Sequence, residues 1–380
     1  MKNFLFKRIS FGLLAVLPVV LAFITVVEKI WGREIALEGF YHSWWFASLW
    51  GILAASGLTY LIVKKRYRQK AAFLLHLSLI VILIGAFITF LTAERGYLHL
   101  RQGKPATTYT AEDEMTQKPL PFEIKLVLFE MEYNKETGQP TNYRSFLRIN
   151  GDVCMVAMNR IYTKDHFRLY QLSYDSDEMG TILLVYRDPW GIGVTYAGYI
   201  LLALSLLWVL WMRISWKGTL VLLVPTLAVW FYISQIQPMT PILRTPMLAL
   251  HVSVILVAYV LLLLTAVFSA IGLASFPKRL RMYEWNNTIL YPALALLVIG
   301  IFIGAVWANI SWGRYWGWDS KETWALITML VYAIPLHKES LPMFADPKKF
   351  HWYCLIAFLT VLMTFLGVSF LLSGMHSYMS

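Results

Sequence analysis

The chain has 380 residues, of which 58% are hydrophobic and 14% charged, with a mean hydropathy of +0.58 and a formal net charge of +11. Soluble domains carry about 25% charged residues, so a water-soluble globule hiding this much apolar surface is excluded and a bilayer is the natural solvent. The positive charge does not point to nucleic acid, because Lys and Arg fall in short runs between apolar stretches, the way membrane topology is written.

In chain order, the first apolar segment, 11–30, follows Lys2, Lys7 and Arg8. It has the outline of a secretory leader, but no small-residue cleavage site follows it, so it reads as a retained first span. Segments 43–63 and 71–93 complete an N-terminal membrane part, 1–93. A polar stretch, 94–190, precedes two connecting spans, 191–212 and 218–236, which make up a third part, 191–236. The last part, 237–380, holds spans at 248–274, 286–307, 323–337 and 352–373. The eighth segment is the weakest, since Pro335 and His337 interrupt its end. The expected fold is an all-α polytopic membrane protein of about nine transmembrane helices with one small external β domain.

Sixteen Lys and Arg residues fall in the short loops on one side, against five on the other (Lys29, Arg33, Arg244, Arg314 and Lys321). The positive-inside rule then puts the N-terminus in the cytoplasm, and the C-terminus and the 94–190 domain outside. That domain reads as β. Phe122, Ile124, Leu126 and Leu128 alternate with Glu123, Lys125 and Val127, and Asn150-Gly151 separates two strand-like runs as a tight hairpin would. Residues 167–174 and 181–187 alternate similarly, so a small sandwich or an open sheet is expected. The two cysteines, Cys154 and Cys354, fall in a soluble and an apolar segment and form no C-x-x-C, which argues against a disulfide, a thiol-redox motif or a zinc cluster.

Four of the eight histidines fall at two depths. His76 lies in the third span near its cytoplasmic end, and His337 at the cytoplasmic end of the eighth. His251 lies at the outer end of the sixth span, and His376 just beyond the ninth. His42, His99 and His166 are outside the membrane, and His351 sits at an interface, where a bland role is expected. Ionisable groups at membrane depth are costly and usually functional, although a lone histidine also serves simply to hydrogen-bond a neighbouring helix. Neutral imidazole ligates heme iron well, and two imidazoles from different helices can clamp one heme.

The segment from Trp307 to Trp324 carries Trp307, Trp312, Trp316, Trp318 and Trp324 with Gly313, Gly317, Asp319 and Glu322. An interfacial aromatic belt explains one or two tryptophans per helix end, but not this density in a loop with two glycines and two acids. Flat indole faces can stack on a porphyrin and exclude water. Asp319 and Glu322 also suit the cap of the following helix, and that structural role is the default for both.

This segment resembles the tryptophan-rich "WWD" signature of the heme-handling superfamily that includes CcmC, CcmF and CcsA. Trp318-Asp319-Ser-Lys-Glu322-Thr-Trp324-Ala, Leu336-His337, the closing Ser373-Gly374-Met375-His376 and the upstream Pro246-Met-Leu-Ala-Leu-His251-Val252 are similar to CcsA. The N-terminal half resembles CcsB/ResB, with three spans, His76 in the third, and a β domain containing Phe167-Arg-Leu-Tyr170-Gln171. The order is that of a fused System II cytochrome c synthase. One departure is the external domain of about 95 residues, usually much longer in the family.

The resemblance implies roles. His76 and His337 would ligate the iron of heme b inside the membrane, and His251 and His376 would ligate it axially at an external site. Trp312, Tyr315, Trp316, Trp318 and Asp319 would form the platform under the porphyrin. Apocytochrome c would offer its Cys-x-x-Cys-His, with its thiols kept reduced by a separate partner, and no side chain of this chain would act as nucleophile or base. The membrane would be the bacterial inner membrane. Competing readings are a heme exporter or chaperone loader without ligase activity and a bis-histidine b-type electron-transfer cytochrome. The ResB-like half argues against the first and the tryptophan loop against the second.

Overall fold

The computed structural model describes residues 2–133, 138, 140–235 and 245–372. Before the sheet come helices α1 (Lys2–Trp31), α2 (Arg33–Ala36), α3 (Trp44–Val63) and α4 (Lys70–Thr92). After it come α5 (Gly191–Arg213), α6 (Trp216–Gln235), α7 (Pro246–Ala274), α8 (Phe276–Trp312), α9 (Ser320–Ala333), α10 (Pro347–Leu362) and α11 (Val368–Leu371). Among the described residues, eight helical stretches are long and apolar enough to cross a membrane, the last running through α10 and α11.

The eighth expected span, 323–337, differs. It is α9, with 14 residues and a following 3₁₀ turn over Ile334–His337. Fourteen residues reach only about 21 Å against about 30 Å of hydrocarbon. Pro335, which has no N–H to continue the helical ladder, sits in the turn. The segment nevertheless packs along the length of α1. Trp324 Nε1 donates to Thr25 Oγ1 (3.2 Å), Ile327 and Leu330 share a core with Leu17, Leu21 and Ile24, and His337 meets Phe11 edge-on at 5.4 Å.

Close helix approach depends on small residues, as expected where lipid is as apolar as the core. On α4 and α5, a Cβ added at Gly85 would lie 2.7 Å from the Thr195 backbone nitrogen, and one at Gly198 would lie 3.0 Å from that of Ile82. On α8, Gly300 and Gly304 do the same for α7, where their neighbours are Ile255 and the His251 ring. A shared core of Leu75, Leu79 and Ile82 with Leu202, Leu206, Ala295 and Val298 joins α4 to α5 and α8.

The polar stretch forms β1 (Glu94–Arg101), β2 (Pro105–Ala111), β3 (Gln117–Tyr133), β4 (Pro140–Ile149), β5 (Asp152–Ala157), β6 (Tyr162–Lys164), β7 (Phe167–Tyr174) and β8 (Gly180–Arg187). They make one antiparallel sheet in the order β5-β4-β3-β2-β1-β8-β7-β6. Of the two expected forms it is the open sheet, with β5 and β6 at its edges, and its inward residues, including Leu98, Ile124, Leu126, Leu147, Leu169 and Leu183, share one core. The Asn150-Gly151 hairpin is present, with Ile149 opposite Asp152 and both turn residues at positive φ (50° and 97°). The alternation expected over 122–128 breaks at its end. A bulge between Leu126 and Leu128 shifts the register, leaving Leu128 41% exposed and burying Phe129.

Gly85→Val is expected to overpack α4 against the Thr195 backbone, costing about 1–3 kcal/mol. Thermal unfolding in detergent reads this as a lowered midpoint, and an unchanged midpoint would contradict so close an approach.

Candidate functional site

His76 and His337 come from opposite ends of the chain and meet with ring centres 5.8 Å apart at 75°. Each places Nδ1 against the carbonyl one helical turn earlier, His76 on Ala72 (2.7 Å) and His337 on Ala333 (2.8 Å). A carbonyl only accepts, so Nδ1 carries the proton in both rings and the neutral tautomer leaves Nε2 with its lone pair. Two imidazoles each about 2 Å from a shared metal hold their ring centres about 6 Å apart. The spacing of the two ring centres is close to that value, and in both rings Nε2 is the unprotonated nitrogen.

The second site lies under the tryptophan loop. A cavity of about 310 Å³ is bounded by His251 and Val252 of α7, Ile301, Gly304 and Trp307 of α8, Trp312, Tyr315, Trp316 and Lys321 around the loop, and Phe365. This volume is at the lower end of small-molecule sites. His251 donates Nδ1–H to Gly300 O (2.7 Å), the same tautomer again, and its ring lies where a side chain at Gly304 would be. Trp307 and Trp312 pack edge to face at 4.9 Å. His376, the expected second ligand here, lies outside the described residues.

The loop itself is short and strongly determined. α8 ends in a left-handed Gly313 (φ 76°). α9 begins with a capping box, in which Asp319 accepts from Lys321 N (2.9 Å) and Glu322 Oε2 accepts from Asp319 N (3.2 Å) and Gly317 N (2.8 Å). The structural default for both acids is what the structure contains. Trp318 also departs from the expected platform. At φ 55° it turns away from the cavity and stacks on Tyr41 (4.6 Å, 10°), against Phe46. Of the five loop residues expected around the porphyrin, Trp312, Tyr315 and Trp316 line the cavity, while Trp318 and Asp319 hold the loop from behind.

Two arginines far away in sequence complete this arrangement. Arg33 pairs with buried Glu28 (2.9 Å) and donates to Gly317 O (2.7 Å). From the sheet, Arg168 donates to Asn309 Oδ1 (2.7 Å), Tyr170 OH donates to Asn309 O (3.2 Å), and the Tyr170 ring lies against Gly313. Sequence reasoning counted Arg33 only toward topology and gave Arg168 no role, although Phe167-Arg-Leu-Tyr170 stood out as a motif. Trp307 stood inside the tryptophan motif without a site role.

The remaining histidines differ in kind. His351 is fully buried. Its Nε2 donates to Arg279 O (3.0 Å), and its Nδ1 faces Ser269 Oγ (3.3 Å) and Asn286 Nδ2 (3.4 Å), so both ring nitrogens are engaged and the residue is structural. His99 faces the Asp175 carboxylate at 2.9 Å on the sheet surface. No cluster of three or more His, Cys, Asp or Glu suited to a metal occurs among the described residues, so these imidazoles are available as pairs rather than as a protein-only cage. Both cysteines are free, and burial pushes the Cys154 thiol up to about 11 against a smaller opposing effect of Lys164.

Arg168→Ala is expected to release the loop from the sheet. A hydrogen bond from a charged donor contributes about 1.5–3 kcal/mol, so amide exchange over 313–318 should accelerate roughly tenfold or more while α4 is unaffected. Equal exchange in both proteins would show that the bond does not hold the loop. Cys154 should be slow to alkylate: at pH 8 only about one thiol in a thousand is ionised, and maleimide labelling as fast as that of an ordinary cysteine would contradict its burial.

Residues 60–196 match the ResB-like family, and residues 192–376 match the cytochrome c assembly protein family. Protein NrfI of Wolinella succinogenes is 39% identical over 162 residues, which is 39% of this chain and 18% of that protein. The cytochrome c biogenesis protein CcsA of Chlamydomonas reinhardtii is 38% identical over 155 residues, 38% of this chain and 44% of that one. CcsA of Guillardia theta is 33% identical over 171 residues, 37% of this chain and 56% of that one. The chain thus covers between 18% and 56% of the length of these relatives. A ResB-like part with His76 is thus followed, in one polytopic membrane chain, by a part that matches the cytochrome c assembly protein family and holds His251, His337 and the tryptophan loop.

Proposed function

We propose that the protein is a holocytochrome c synthase that takes heme b at an inner histidine pair and presents it at the tryptophan-walled cavity for attachment to the Cys-x-x-Cys-His of apocytochrome c. The observation that carries this reading is the repeated imidazole geometry. His76, His337 and His251 each spend Nδ1 on a backbone carbonyl, a tautomer in which Nε2 carries the lone pair. A carbonyl partner behind a metal-bound imidazole fixes the ring and raises its basicity.

In this reading His76 and His337 ligate heme within the bilayer, and His251 and His376 ligate it at the outer cavity, where Trp307, Trp312, Tyr315 and Trp316 exclude water. Each apocytochrome thiol adds across a heme vinyl, with sulfur bonding one carbon and a proton the other. The protein's share of the catalysis is positioning, which can supply several kcal/mol, and control of iron ligation. A separate partner keeps the thiols reduced. The orientation consistent with the Lys and Arg distribution has the N-terminus in the cytoplasm of a bacterium and the sheet outside. With α9 and its 3₁₀ turn running beside α1 from Thr25 to Phe11, nine crossings follow, and the C-terminus is external.

The test is co-expression with an apocytochrome c reporter in a host without its own maturation system. His251→Ala is expected to abolish covalent attachment while leaving heme absorbance from the inner pair. His76→Ala is expected to lower heme at the outer site severalfold. Full maturation by His251→Ala would reject the synthase, and bound heme without attachment by the unmodified chain would identify a loader instead.

A further inference from the structure

The turn that follows His337 folds back on it. The amides of Ser340 and Leu341 both donate to His337 O (2.8 Å each), which couples this turn to the imidazole. Two side chains of the turn reach across to the ResB-like part. Ser340 Oγ shares a hydrogen bond with Tyr60 OH in the last turn of α3 (2.8 Å), and both residues are buried. Glu339 pairs with Arg66, which lies in a 3₁₀ turn, Arg66–Arg68, that runs straight into α4 and so toward His76. Lys338 meanwhile donates to Asn287 Oδ1 of α8 (3.1 Å) and fixes the same turn to its own part of the chain. The segment that carries one imidazole is therefore tied, just beyond it, to the segment that leads into the other. These ties are weak by design of their surroundings. Arg66 and Glu339 are 29% and 67% exposed, and exposed ion pairs contribute little. With one buried hydroxyl bond, they favour the joined form by on the order of tenfold. The rings they hold are already 5.8 Å apart, while Phe11 packs edge-on against His337 (5.4 Å) and Tyr60 against Phe11 (5.9 Å). A porphyrin is a disc much broader than an imidazole, so it passes between two rings at this spacing only after the segments carrying them part.

We propose that Tyr60, Arg66, Glu339 and Ser340 form a catch that sets the gap of the inner imidazole pair. Closed, it holds His76 and His337 at ligating distance; open, it admits heme from the side of the basic loops, where all four residues lie. The inference rests on the heme reading above and deepens it by naming the positioning residues of the inner site and the side from which it is loaded. These residues act through the two histidines rather than on the iron. Uptake through such an opening step is proportional to the fraction of open protein, so weakening the catch speeds loading and locking it stops loading.

The test follows hemin uptake by the full-length chain in detergent, carrying His251→Ala so that the outer cavity does not contribute. The readout is the rate at which the Soret band of bis-imidazole heme appears, identified as the band lost when His76→Ala is added. Glu339→Arg sets two cations against each other and should speed uptake about threefold to tenfold. Arg66→Glu sets two anions against each other and should speed it equally, and combining the two substitutions should return the original rate. Tyr60→Phe keeps the ring, removes the hydroxyl and should also speed uptake about threefold to tenfold. Once loaded, these opened variants should show a larger five-coordinate fraction than the unmodified pair. Joining Arg66→Cys to Glu339→Cys with a cleavable bismaleimide, in a Cys154→Ser background, should stop uptake, and cutting the linker should restore it. One common rate in all these proteins, the linked one included, overturns the catch and leaves the inner heme site standing. Faster uptake with Glu339→Arg but slower uptake with Arg66→Glu would show that Arg66 attracts the heme carboxylates instead of holding a catch, and overturns the proposal. Absence of the His76-dependent band in every protein overturns the heme reading itself.

Discussion

The short loop between α8 and α9 is the constraint on which the tryptophan-walled cavity depends. It must carry bulky aromatic rings between two helices without a core of its own. The chain solves this from two directions. From one side Arg33 holds the Gly317 carbonyl and Tyr41 stacks on Trp318. From the other side Arg168 and Tyr170 hold Asn309 at the end of α8. Trp318 sits in the left-handed region, which costs a non-glycine residue about 1–3 kcal/mol. The Tyr41 stack contributes about 0.5–1.5 kcal/mol beyond burial and the Arg33 bond about 1.5–3 kcal/mol. Together they are large enough to keep the strained turn. Trp318 is thus the residue that aims Trp316 at the cavity rather than one that lines it.

The sheet is coupled to this loop although it has its own enclosed core. Arg168 reaches from β7 to α8, so the ResB-like part touches the end of α8 beside the tryptophan loop as well as His337, through His76. A sheet of eight strands suffices for this contact.

Much of the architecture was legible in the sequence, because span length and charge runs are set by bilayer thickness and by the cost of burying charge. The spans, the β stretch and the hairpin at Asn150-Gly151 follow from those rules. The short α9 was harder to read: Pro335 signalled the break, but the packing of these 14 residues along α1 has no signature of its own. The Leu128 register shift was invisible, since a bulge leaves no alternation of its own. Depth alone suggested that His76 and His337 belong together, whereas the turn of Trp318 toward Tyr41 depends on a backbone angle that residue type does not announce for tryptophan. Arg33 and Arg168 were hidden for the same reason that most long-range polar contacts are: their partners are backbone or amide groups, which carry no sequence signature.

The pairing of His76 with His337 has a consequence for how the protein is made. One imidazole enters the bilayer with the third long helix and the other only after the tryptophan loop and α9 have been synthesised. A ribosome-bound or truncated chain holding only the first of them presents a single imidazole among lipid tails. The two rings therefore meet only when insertion is nearly finished, and an incomplete product holds the first imidazole without its partner.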